Sequence, residues 1–353
     1  MMPIIYPVQE TVYVGNGIGV LSDVLYCRST EVLNNSYELE FRVPKNGKHA
    51  EDIFINSAVK VRSNYSDNLQ IFRIYFVDKD YDGYITVKAA HISYDTAGIP
   101  ILPFTANNLD EVADKMNTGR IVLNNTPFVF YSDFQAEGKL EVKSPVSFRS
   151  LLGGSDNSII GVYGGEYHYN NYAIEHLEKR GYDRGVIFRY GKNITGFEEE
   201  TNADQLYSAV IGFWKKSNGQ NEEDTLIYGN IVECEGYFPY DKILIVDASS
   251  DIKKENDAVP TADEIDSYVA SYIAKNSVGI PVKKMKINYI DDNGIANVCV
   301  GDTVRVIFPD YGINVLARCN KVVFDCLLER NESIEIGVVG LDLSDTIADL
   351  STK

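Results

Sequence analysis

Short stretches in which apolar and polar residues alternate, separated by turn formers, constrain this chain more than any other feature. Leu69 to Val77 and Tyr84 to Ile92 alternate or run apolar, with Asp80, Asp82 and Gly83 between them. A period of two puts alternate side chains on one face of a strand, and the intervening residues favour tight turns. The segment to about Asp95 therefore predicts a small antiparallel β-barrel, closed or nearly so. The period changes near Thr96. Pro100 and Pro103 punctuate the chain, and Leu109, Val112, Ala113 and Met116 then recur at helical spacing. Asn108 is placed to cap that helix with Glu111 at the third position, and Gly119 to stop it.

Further on, Glu166 to Arg180 places Tyr167 and Tyr169 on one parity and Tyr172 and Ile174 on the other. This fits a strand bulged at Asn170 and Asn171 better than a helix. Gly185 to Tyr190 reads as another strand and Gly191 to Thr195 as a turn. From about Ala203 the barrel-like pattern returns, at Leu206 to Phe213, Thr225 to Cys234 and Lys242 to Asp247. A helix interrupts it: Thr261 and Glu264 form a capping pair after Pro260, Ile265, Val269 and Ile273 line one face, and Gly279 and Pro281 end it. A strand at Val282 to Ile290, a hairpin turn at Asp292-Asn293-Gly294 and further strands through Gly340 complete the pattern. The expected architecture is β-rich α+β and multidomain. Two small antiparallel β-barrels, residues 1–95 and residues 203–250 with 297–340, flank an α+β domain at 96–202. A helix-containing insertion occupies 251–296, and 341–353 is a tail.

The 353 residues, 44% of them hydrophobic, exceed one ordinary core and can bury several. No run approaches the roughly 18 apolar residues of a membrane span, and Met1 to Gly19 lacks the charged start and apolar centre of a signal peptide. No stable membrane insertion is expected. A formal charge of -18 disfavours tight binding of nucleic acid, because its field repels phosphates. The five cysteines, Cys27, Cys234, Cys299, Cys319 and Cys326, are widely spaced and include no Cys-x-x-Cys pair, so neither a disulfide framework nor a zinc ribbon is expected. The 24 tyrosines suit half-buried sheet surface.

Catalytic motifs are incomplete. Ser155-Asp156-Asn157 and Ser250-Asp251-Ile252-Lys253 match two elements of penicillin-binding enzymes, but in the wrong order and without Lys-Thr-Gly. Gly-x-Ser-x-Gly and His-Glu-x-x-His are absent. His49, His91, His168 and His176 are the only histidines; His168 and His176 with Glu166 and Glu178 have neither a helical nor a hairpin zinc spacing. Glu198, Glu199 and Glu200 read as a solvated face. Gly15-Asn16-Gly17-Ile18-Gly19 reads as a turn rather than a phosphate loop, since no crossover helix follows. No catalytic, cofactor-binding or metal-ligating residue is therefore assigned, and no cofactor is expected.

Three blocks carry a family resemblance: GIGVLSDVLYCRSTEVLNNSYELEFRVP from Gly17 to Pro44, LLGGSDNSIIGVYGGEYHYNNYAIEHLEKRGYDRGVIFRYGKNITG from Leu151 to Gly196, and VGDTVRVIFPDYGINVLARCNKVVFDCLLERNESIEIG from Val300 to Gly337. In this order they resemble the bacteriophage tail-tip hub family. Its members are prophage tail proteins, "endopeptidase tail" proteins and the N-terminal region of tail-associated lysins, with a fold like the central baseplate hub of the T-even phages. Tyr190-Gly191-Lys192-Asn193 matches the family's most regular tetrapeptide.

The resemblance implies two related tube-type barrels per chain and a homotrimer of pseudo-sixfold symmetry. That ring would sit in the virion tail tip, joining the distal tail protein or tube ring to tip or fibre proteins, with the tape-measure protein or DNA passing through. A trimer would carry a formal charge of -54, and an acidic or neutral channel lets a polyanion pass without holding it. Two other readings are a tail-associated peptidase or peptidoglycan hydrolase and a host-surface saccharide-binding adhesin. Wall-cutting relatives carry the hydrolase as an added C-terminal domain and this chain stops at Lys353, so a non-enzymatic role is expected.

Overall fold

The computed structural model describes residues 2–123, 126–155, 157–202, 206–216, 224–234, 240–249, 251–252, 254, 258–276, 278–280, 282–289 and 297–337. They fall into two compact units. One comprises Met1–Glu198 with Met285–Gly337, and the other is built on Glu199–Lys284.

In the larger unit the N-terminal strands are β1 (Ile4–Tyr6), β2 (Gly19–Val20), β3 (Tyr26–Val32), β4 (Tyr37–Pro44), β5 (Ala58–Val61), β6 (Gln70–Lys79) and β7 (Tyr84–His91). The alternation read from the sequence is visible in β4, where Tyr37, Leu39, Phe41 and Val43 are buried and the residues between them are half-buried. The β6–β7 turn forms as its residues dictate: Asp80 Oδ1 accepts from Tyr84 N at 2.8 Å, and Gly83 takes a φ of 84° that suits glycine.

The middle segment contains β8 (Pro100–Ile101), β9 (Phe104–Asn108), α1 (Leu109–Thr118), β10 (Val129–Ser132), β11 (Glu137–Val142), β12 (Val146–Ser147), α2 (Phe148–Leu152), α3 (Ile159–Tyr163), β13 (Glu166–Asn170) and β14 (Ala173–Leu177). Asn108 caps α1, its Oδ1 accepting from Glu111 N at 2.9 Å. Leu109, Val112 and Met116 face inward. The strand bulge expected at Asn170 and Asn171 is instead a tight hairpin turn. Asn171 adopts φ 51°, and β13 and β14 pair antiparallel from Asn170↔Ala173 to Glu166↔Leu177. Asparagine tolerates that left-handed conformation, which reverses the chain where a bulge would only bend it.

The C-terminal strands are β15 (Asp183–Arg189), β16 (Ile194–Asn202), then β17 (Ala209–Lys216), β18 (Thr225–Glu233), β19 (Ile243–Asp247), α4 (Ala262–Asn276), β20 (Val282–Tyr289), β21 (Thr303–Phe308), β22 (Ile313–Asp325) and β23 (Arg330–Gly337). A 13-stranded sheet runs β16-β20-β23-β22-β3-β4-β7-β6-β5-β1-β2, with β21 on β22 and β15 on β21. Strand β22 is the bridge, pairing with β21, β23 and, from Lys321 to Asp325, β3. None of the sheets closes on itself among the described residues: the strands expected in two small barrels, closed or nearly so, share one continuous hydrogen-bonded sheet.

Three expected boundaries differ from the pairing. β20, assigned to the helix-containing insertion, lies between β16 and β23 in the large sheet. β15 and β16, assigned to the middle domain, hydrogen-bond to C-terminal strands. β17, β18 and β19, assigned to the second barrel, form a separate three-stranded sheet. Alternation identifies a strand without naming its partner. Here the partner is α4: a Cβ on Gly212 would lie 2.6 Å from Val269 Cγ2, so glycine lets the helix seat directly on β17. Val210, Trp214, Val246, Ile265 and Val269 form the resulting core. The cap of α4 is reciprocal, Glu264 Oε2 accepting from Thr261 N at 2.8 Å and Thr261 Oγ1 from Glu264 N at 3.3 Å. The Asp292-Asn293-Gly294 turn and the 341–353 tail lie outside the described residues.

Candidate functional site

The β13–β14 hairpin is held by side chains from all three sequence blocks, and its turn docks on the start of β6. Asn171 Oδ1 accepts from Ile71 N at 2.9 Å, Asn171 N donates to Gln70 Oε1 at 2.7 Å, and Gln70 Nε2 donates to Asn170 Oδ1 at 3.1 Å. Gln70 is fully buried and also meets His91 Nε2 at 3.0 Å. At the other end of β13, Asn34 of the first block accepts from Tyr167 N at 2.8 Å and donates to Gly165 O at 3.1 Å.

Between these ends lies His168. Its Nδ1 is 2.7 Å from Glu175 Oε2, and its Nε2 is 3.0 Å from Asp67 Oδ2. Burial alone would lower its pKa, but hydrogen bonds to Asp67 and Glu175 outweigh this and raise it to about 9. The carboxylates respond in kind. Burial raises Asp67, yet the bonds from His168 and Asn64 leave it below its usual value, and the His168 bond lowers Glu175. Imidazolium between two carboxylates is thus the resting state at neutral pH.

A second charged layer joins the hairpin to the C-terminal strands. Arg180 Nη1 lies 2.6 Å from Glu31 Oε1 of β3, with both side chains less than a tenth exposed. Arg180 N donates to Glu166 Oε2 at 2.7 Å, and Arg318 of β22 grips the same carboxylate through both terminal nitrogens. Arg318 Nη2 also donates to Arg180 O at 2.7 Å and to Gly301 O at 3.1 Å. The backbones touch there: a Cβ on Gly181, at φ 81°, would lie 2.2 Å from Gly301 C. Asp302 closes the layer by accepting from Tyr182 N and Cys299 N, each at 2.8 Å. This explains the glycine and aspartate that begin the third block.

The remaining candidates do not converge on chemistry. His91 is fully buried, stacked on Tyr37 at 4.7 Å, and desolvation lowers its pKa to about 3, so it is neutral. His176 is buried against Phe130 and Phe134, its Nε2 2.8 Å from Gly164 O and its Nδ1 3.4 Å from Ser132 Oγ. Desolvation lowers its pKa as well. His49 pairs with Asp52 at 3.0 Å. Ser155 is exposed beside an open cleft of about 590 Å³ lined by Glu141, Lys143, Ser144, Ser150 and Asn157. Asp156, Ser250 and Lys253 lie outside the described residues. Glu166 and His168 are spent on the contacts above, and Glu178 N donates to Asp133 Oδ1 at 3.1 Å.

Glu198, Glu199 and Glu200 are exposed, Glu198 pairing with Lys286 at 3.4 Å. In the tetrapeptide Tyr190 to Asn193, Gly191 has φ 78° and Asn193 Oδ1 accepts from Arg189 N at 2.8 Å, so the motif is a turn and Lys192 is exposed. Among the described residues no cluster of three His, Cys, Asp or Glu could hold a metal, and the cysteines are free thiols, all but Cys234 buried. Sequence reasoning missed Asp67, Gln70, Arg180 and Arg318 because isolated polar residues in strands and loops carry no spacing signal. Two signals were present, the tight Asn170-Asn171 turn and the charged Glu166, Arg180 and Arg318 inside the family-like blocks.

This arrangement, N- and C-terminal strands in one sheet with a hairpin keyed into their junction, belongs to a fold seen in phage tail proteins. Prophage tail protein gp18 from Listeria monocytogenes EGD-e is similar at TM-score 0.61 and 13% identity, over 99% of this chain and 98% of that one. The prophage MuSo2 43 kDa tail protein from Shewanella oneidensis matches at TM-score 0.62 and 13% identity, over 96% and 98%. A tail protein from Neisseria meningitidis MC58 matches at 0.61 and 9%, over 96% and 97%. Residues 182–347 match the family described as prophage endopeptidase tail, and the chain resembles the phage tail proteins as its sequence blocks implied. No curated protein sequence matches it.

Proposed function

We propose that the chain is a structural hub of a phage or prophage tail tip, three copies forming a ring that ends the tail tube and connects it to the tip apparatus. The observation that carries this reading is the end-to-end correspondence of fold with prophage tail proteins. The residues agree with it. Glu166 and His168, two of the candidate ligands, fasten strands to one another instead, which suits a part that must transmit load. Within the large sheet, β1–β7 and the group β15, β16, β20–β23 are the two barrel-like modules that three copies would arrange with pseudo-sixfold symmetry. The channel wall they enclose is acidic or neutral and holds DNA weakly, and the ring's neighbours are the distal tail protein, the tape-measure protein and tip or fibre proteins. The described residues include no helix long and apolar enough to cross a membrane.

Light scattering of the purified chain tests the assembly: three times the 39.5 kDa protomer mass is expected. A monomer that releases soluble fragments from purified cell wall, and ceases to do so on Ser155→Ala, would replace the hub with an enzyme.

A further inference from the structure

The smaller unit carries a surface that the hub reading leaves unused. Val210 and Trp214 of β17, Ile227 and Val232 of β18 and Leu244 and Val246 of β19 pack toward α4. Strand geometry then turns the alternate residues to the opposite face. The register aligns Ile231, Ile211 and Ile245 in one row and Tyr228 beside Phe213 in the next. A sheet covered by a helix on one side is ordinarily polar on the other. Here Leu226, Tyr228, Ile231, Ile243 and Ile245 are 42%, 58%, 55%, 37% and 69% exposed. Together they present roughly 500 Å² of apolar surface, in the range of the largest patch on a typical monomer, which is often functional.

The border of this field is acidic. Glu233 stands at one end, Asp247 lies beside Phe213, and Lys215, a cation on this face, is held by Asp224 at 2.8 Å. Residues 199–284 contain 16 acidic and 8 basic side chains, a net charge of -8. That field disfavours a second copy of the same face, anionic lipid and nucleic acid, and favours a cationic partner. Three strands at about 4.8 Å spacing offer a width that one helix of about 10 Å covers, as α4 does on the reverse side.

We propose that the open face of the β17–β19 sheet docks an amphipathic helix of another protein, its apolar stripe flanked by Lys and Arg. The test uses the full chain and two synthetic amphipathic helices, one of Leu and Lys and one of Leu and Glu, in an anisotropy titration with hydrogen exchange. The Leu/Lys helix should bind at least about tenfold more tightly than the Leu/Glu helix. It should also protect β18 and β19. Ile231→Lys, Ile245→Lys and Glu233→Lys should each weaken it without moving the unfolding midpoint, whereas Asp114→Lys, an exposed acid on α1, should not. Equal affinity for the two helices, protection confined to other strands, or indifference to the three face variants would overturn the proposal. So would dispersal of an oligomer by Ile245→Lys, which assigns the face to a second copy, or wild-type capture by anionic vesicles.

Discussion

The junction around the β13–β14 hairpin buries charge, whereas the β17–β19 sheet exposes apolar surface. In the first, Glu31, Asp67, Arg180 and the Glu166–Arg318 pair are withdrawn from water and each meets an opposite charge. In the second, isoleucines up to 69% exposed stand on a sheet whose other face is an ordinary core. The difference separates what each region is for. A buried ion pair is a poor way to gain stability over a hydrophobic contact, but it tolerates few alternative arrangements. It therefore fixes register among three segments distant in the chain. An exposed apolar face contributes little to the protomer and is retained where something else covers it.

The largest effect that would break this contrast is expected at Arg180. Arg180→Met leaves Glu31 buried without its cation and should cost about 3–5 kcal/mol in urea unfolding. Adding Glu31→Gln should restore part of that loss. A cost below about 1 kcal/mol for the single variant would mean that the junction is not a fastening. Gly181→Ala comes next. Its φ of 81° and the 2.2 Å approach to Gly301 require backbone movement, and about 2–4 kcal/mol is expected, with hydrogen exchange rising first at Thr303 and Tyr182.

The third prediction concerns pH. His168, raised to about 9, contributes stability that is fully present below about pH 6.5 and is lost as pH rises through 9. Partial exposure limits this to about 2–3 kcal/mol. His91, lowered to about 3, acts in the opposite sense: its burial as the neutral form becomes a liability as pH falls below about 6.5. Asp67 and Glu175, both lowered, add to the loss at acid pH as they protonate. The unfolding midpoint should therefore peak near pH 6.5, and His168→Gln should flatten its alkaline side and also weaken the acid-side loss due to Asp67 and Glu175, whose lowering comes in part from His168. An alkaline limb unchanged in that variant would show that the imidazolium is not what holds the hairpin. The smallest effect sharpens the other side of the comparison. Ile245→Lys should change stability by less than about 0.5 kcal/mol, whereas Val269→Ala, in the core beneath, should cost about 1–2 kcal/mol.

Much of the local structure was legible in the chain itself. Strand alternation in β4 and β7, the caps of α1 and α4 and the left-handed turns at Gly83 and Gly191 depend on neighbours a few residues away, so composition and spacing determine them. The three family-like blocks also point to a phage tail fold. The sequence could not say which strands share a sheet. Alternation in Leu206 to Asp247 is the same whether those strands join β21 or stand under α4, and only the fit of Ile265 and Val269 against Gly212 decides it. Nor could it say what His168 does. Two carboxylates, one 101 residues earlier and one 7 residues later, convert a would-be metal ligand into a fixed cation. Electrostatic pairing acts through space, and the chain records it only as isolated charged letters until the fold brings them together.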